Sequence, residues 1–113
     1  MVRVNWDVEE LVALIDLYIR ETSGNISDLP SEMLSLSKAL NRRANILGIT
    51  HDDKFRNMSG MKLMYQNVVY IATNGERGMS AYSKAMEIVY SMTKVCPDAF
   101  KLILQEFNDR YYV

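Results

Sequence analysis

The chain has 113 residues, 49% hydrophobic and 24% charged, with a formal net charge of −1. That length fits a single domain, because two halves would each be too small to bury a useful core, and the composition excludes a disordered chain. No apolar run approaches the roughly 18–20 residues of a membrane span. MVRVNWDVEE turns acidic where a signal peptide would stay apolar, so a cytoplasmic protein without membrane contact is expected.

Helical spacing dominates from the start. Asp7 followed by Glu10 resembles a capping box, with Trp6 placed to staple the first turn. Leu11, Leu14, Ile15 and Tyr18 then recur at i, i+3, i+4 and i+7, which predicts a first helix ended by Ser23-Gly24-Asn25. Pro30 suits the first turn of a second helix, running to about Arg43 with Met33, Leu36 and Leu40 inside. Residues 44–58 read as a loop with a short turn. A third helix is expected from about Ser59 to Thr73, carrying Met61, Met64, Tyr65, Val68 and Ala72 on one face. NGERG (74–78) is a turn, Ser80 is the expected cap of a fourth helix, and Pro97 opens a fifth over about 97–112.

The fold class is therefore all-α: one compact domain, 1–113, of about five helices. Its expected core is Trp6, Leu11, Leu14, Ile15, Tyr18, Leu36, Leu40, Phe55, Tyr65, Val68, Val89, Phe100 and Leu104.

Charge is distributed unevenly. Residues 1–37 hold two arginines against seven acids, residues 38–84 eight cations against three acids, and residues 85–113 three against four. The basic middle reads either as one anion-binding face or as the inward partner of the acidic start.

Signatures of catalysis are missing. One histidine and one cysteine preclude paired-histidine and zinc-knuckle sites, and there is no GxxxxGK[ST] or GxSxG motif. His51-Asp52-Asp53 reads as a solvated loop, and Cys96, between Val95 and Pro97, as a packed thiol that cannot form an internal disulfide. No enzyme activity, metal or cofactor is expected. The eight methionines read as adaptable core filler and the seven tyrosines as core-edge residues, ahead of a peptide groove or a base-stacking platform.

The loop HDDKFRNMSG (51–60) bears most directly on function. Arg56 offers a planar fork suited to a phosphate or a guanine edge, Asn57 could pair with an adenine edge, and Ser59-Gly60 leads into a helix N-terminus. The competing reading has Phe55 anchoring the loop in the core and Arg56 pairing inward with an acid of the first helix, Asp16 being the favoured partner.

A series of motifs runs through this region in one order: Trp6, Glu10-Leu11, Leu14 to Tyr18 and Arg20; then LSKALN (36–41); then Asp52, Lys54-Phe55-Arg56-Asn57 and Gly60; then Asn67 and the turn 75–79. The series resembles the helical N-terminal domain of McrA-like HNH restriction endonucleases over roughly residues 5–90. The resemblance implies a part that engages DNA or helps to select it, in the setting of restriction-modification and phage defence. The family's Met-Lys-Leu aligns with Leu63, Met64 and Tyr65, so its lysine position is Met64 here, with Lys62 as a substitute. No HNH motif follows, so the resemblance implies an excised domain or a stand-alone protein without the cutting machinery.

Two functions from different classes follow. One is a non-catalytic nucleic-acid-recognition module, with Arg42, Arg43, Lys54, Arg56, Asn57, Lys62 and Arg77 contacting DNA. The other is a phage- or mobile-element-type interaction module that blocks a host nuclease complex, of anti-restriction or anti-CRISPR kind, through an acidic face that imitates DNA.

Overall fold

A computed structural model describes residues 4–112 and contains five helices and no strand among them. These are α1 (Val8–Thr22), α2 (Leu29–Leu47), α3 (Met58–Ala72), α4 (Lys84–Val95) and α5 (Pro97–Tyr111). None is long and apolar enough to cross a membrane.

Helix α1 is the centre of the bundle and contacts all four others. Leu11, Val12, Ala13, Leu14, Ile15 and Leu17 are all buried, so helices close around it instead of meeting a single stripe. The capping box forms as expected: Glu10 N donates to Asp7 Oδ1 at 3.0 Å, and Asp7 N to Glu10 Oε1 at 3.2 Å. Of the expected core, Leu11, Leu14, Ile15, Leu36, Leu40, Phe55, Tyr65, Val68, Val89 and Phe100 are buried, while Trp6, Tyr18 and Leu104 pack half-buried at its edge.

Three boundaries differ from the expected ones. Helix α2 continues past Arg43 to Leu47 and stops at Gly48, which takes the left-handed conformation at φ 70°. The reason is that Arg43 and Ala44 are buried and extend the Met33–Leu36–Leu40 stripe by another turn. Helix α3 starts at Met58, capped by Asn57, whose side chain accepts from Gly60 N at 2.9 Å. Helix α4 is capped by Ser83 and not Ser80, with Met86 N donating to Ser83 Oγ at 3.1 Å. Ser80 is held elsewhere, because its neighbour Met79 donates to the Gln66 carbonyl and pins the chain along α3.

Asp16, on α1, accepts from Arg20 Nε at 2.8 Å, and Arg20 reaches Glu32 at 3.5 Å. Burial pushes the Asp16 carboxyl above its usual range, against the lowering pull of Arg20. A folded pKa above the unfolded one means that the group favours folding at acid pH. That contribution is lost as pH rises through the raised value. Asp16→Asn is therefore expected to leave stability at neutral pH unchanged or higher. A loss above about 1 kcal/mol in urea unfolding would show instead that the ion pair outweighs the burial.

Candidate functional site: the Arg56 clamp, its cavity and the exposed cations

The 51–57 segment is tied down by short-range bonds. Asp52 Oδ1 accepts from Lys54 N at 3.0 Å, and the Asp52 carbonyl accepts from Phe55 N at 3.3 Å. Both His51 ring nitrogens are engaged, with the Asp52 carbonyl at 2.8 Å and Asn45 Oδ1 at 2.9 Å, and the ring packs on Phe55 at 4.6 Å. From α2, Ser37 Oγ donates to the Arg56 carbonyl at 2.6 Å and Asn41 Nδ2 to the Phe55 carbonyl at 3.0 Å. Ser37 and Asn41 are four residues apart, so they share the helix face turned to this loop.

Arg56 turns inward, and its partner is Glu10, not Asp16. Its Nε donates to Glu10 Oε2 at 2.8 Å and its Nη2 to Oε1 at 2.9 Å, a bidentate pair whose side chains are 8% and 2% exposed. Nη1 donates to the Val4 carbonyl and Nη2 to the Asn5 carbonyl, each at 3.2 Å. The guanidinium lies between two aromatic rings, 4.5 Å from the Trp6 centroid and 4.3 Å from that of Phe55. Arg56 adopts φ 50°, a left-handed conformation that a non-glycine residue holds only where its surroundings impose it. Trp6, Glu10, Ser37, Asn41, Phe55, Arg56 and Asn57, which belong to the ordered motif series, thus meet in one place.

Arg43 is engaged in the same way: its Nη2 lies 2.7 Å from Asp7 Oδ2 and its Nε 2.5 Å from Glu9 Oε1, with the side chain 9% exposed. Of the residues expected to contact DNA, Arg43 and Arg56 therefore face inward, and the Asn57 side-chain oxygen caps α3. Arg42, Lys54, Lys62 and Arg77 are exposed. The structure does not gather these four into one network. Arg42 donates to the Tyr111 carbonyl at the end of α5, Lys54 lies in the loop, Lys62 lies in the first half of α3, and Arg77 lies in the turn beyond it.

Sequence reading missed a cavity beside the clamp. It has a volume of about 530 Å³ and is walled in part by Asn5, Trp6, Arg56, Met64, Asn67 and Ser83. Asn67 is only 7% exposed although it lies off the Met61–Tyr65–Val68 face of α3. A polar residue outside the apolar stripe gave no signal of burial; only its place in the motif series set it apart. No group of three potential metal ligands occurs among the described residues. Comparison with protein-family models, curated proteins and solved structures gave no match to this chain.

Proposed function

We propose that this domain is a non-catalytic nucleic-acid-recognition module of the kind its motif series resembles. One observation supports this over an acidic DNA mimic: internal pairing engages the acids of the first third and leaves most cations of the middle free. Asp7, Glu9, Glu10, Asp16 and Glu32 each have an arginine within ion-pair distance, so among the described residues only Glu21 and Asp28 of that region lack one. In contrast, Lys38, Arg42, Lys54, Lys62 and Arg77 are exposed with no carboxylate partner among the described residues. An exposed cation can displace counterions from a phosphate backbone; a buried, paired one cannot.

The test is duplex-DNA binding across a salt series. Affinity is expected to fall steeply with salt, and Lys54→Ala/Lys62→Ala should lower the slope of log K against log salt by about two. These two side chains make no structural bond among the described residues, so the variant should melt with the parent. Absence of binding by the parent at low salt defeats the reading. A protein partner would then lead, with exposed Ile46 and Leu47 at the end of α2 as the first surface to alter.

A further inference from the structure

We infer that the cavity between Trp6 and Asn67 is a binding pocket for a single nucleobase. It rests on the nucleic-acid reading only where the base is presented by a strand; a free nucleoside would carry the same chemistry. The cavity volume of about 530 Å³ lies within the roughly 300–1,000 Å³ typical of small-ligand sites.

Asn67 carries the argument. It is more than nine-tenths buried, yet among the described residues its carboxamide has one weak partner, with Nδ2 donating to Met64 Sδ at 3.8 Å. Its Oδ1 accepts no hydrogen bond from any described residue. Asn67 is one of the residues that line the cavity, so its carboxamide is part of that wall. An amide left open in a buried setting costs free energy unless something pairs with it.

The remaining groups define the ligand. Arg56 is neutralised by Glu10, so the pocket offers little field to a phosphate or carboxylate. Arg56 Nη1 has two protons and, among the described residues, one partner, the Val4 carbonyl, which leaves a donor toward them unused. Ser83 Oγ accepts from Met86 N and keeps its own proton to donate. Trp6 and Met64 supply apolar wall. A carboxamide presents a donor and an acceptor side by side in one plane, the pattern that an asparagine uses against a base edge. A neutral, flat ligand with such an edge and an apolar face matches all of these groups, and a nucleobase is that ligand.

Trp6 is the only tryptophan, so its indole N–H is an unambiguous reporter in a nitrogen-labelled NMR spectrum, and the Asn67 side-chain amide, assigned by its loss on substitution, is a second. The four common nucleosides are titrated first, then a duplex with one unpaired base beside its fully paired counterpart. Saturable shifts of both reporters with a nucleoside are expected. At the Trp6 indole, which parent and variant share, Asn67→Leu should weaken binding about tenfold or more while melting with the parent. Should that variant unfold, Asn67→Ser keeps a small neutral hydrogen-bonding group and removes the carboxamide edge, and the same loss is expected. Silence of both reporters with every nucleoside and both duplexes overturns the inference, as do shifts equal in parent and variant. Duplex binding that moves only the lysines and arginines of the surface overturns the pocket and leaves the nucleic-acid reading standing. Nucleoside shifts without duplex binding do the reverse.

Discussion

Replacing Arg56 with methionine is expected to destabilise the domain by about 3–5 kcal/mol, the typical cost of removing one partner from a buried ion pair. Glu10 is 2% exposed and would be left buried with no cation beside it. The same substitution frees the Val4 and Asn5 carbonyls and opens the space between Trp6 and Phe55. Against a total stability of roughly 5–15 kcal/mol, this is a large fraction. Urea unfolding followed by Trp6 fluorescence measures it. The double variant Glu10→Gln/Arg56→Met should recover part of the loss, because it no longer buries an unpaired carboxylate. A single-variant cost below about 1 kcal/mol would mean that the clamp is incidental to folding, and Arg56 would again be available as a contact residue.

Gly78→Ala should be of comparable severity, at roughly 2–4 kcal/mol, for a steric reason. Gly78 sits at φ 87°, and a Cβ there would lie 2.3 Å from the Gln66 carbonyl oxygen and 2.6 Å from Tyr70 N. Both are backbone atoms of α3 and cannot swing aside. The chain must either strain or lift off the helix, breaking the bond from Met79 N to the Gln66 carbonyl. Amide exchange at Met79 distinguishes the two outcomes. Gly24→Ala is the control: its φ is 77°, but no atom lies within 4 Å of the added Cβ, so only the conformational cost of about 1 kcal/mol is expected. Equal effects of the two substitutions would contradict the close approach of residues 78–79 to α3.

The clamp explains why a loop rich in charge and hydrogen-bonding groups is a poor DNA contact at its most suggestive residue. Arg56 has the fork geometry that suits a phosphate, and the fold uses that geometry on Glu10 and two N-terminal carbonyls. What remains for a ligand is the edge of the clamp, where Asn67 and Arg56 line a cavity, and, elsewhere on the surface, the exposed cations.

Much of the helix pattern was legible in the residues alone, because helices, caps and turns are local. Apolar recurrence at three and four residues placed α1 and α3 to within a few residues, and the signals of Ser80 and Pro97 did so for the starts of α4 and α5. Asp7 with Glu10, Pro30 and Pro97 marked three starts through hydrogen-bond and φ requirements that reach no further than one turn. That Arg56 could turn inward to an acid of the first helix was readable as one of two alternatives, since a carboxylate within an apolar stripe calls for a cation. Which acid it meets was not. Glu10 and Asp16 stand six residues apart on α1, and only the rotation of that helix against a loop 46 residues away puts Glu10 inside. The same long-range packing buries Arg43, whose partners lie 34 and 36 residues away, and thereby carries α2 one turn beyond its apparent end. It also closes residues 81–85 and residues 4–6 over the flank of α3, making a cavity wall of Asn67. Periodicity states which face of a helix is apolar. The partner of a buried charge depends on which two faces meet, and that is decided only when the helices pack.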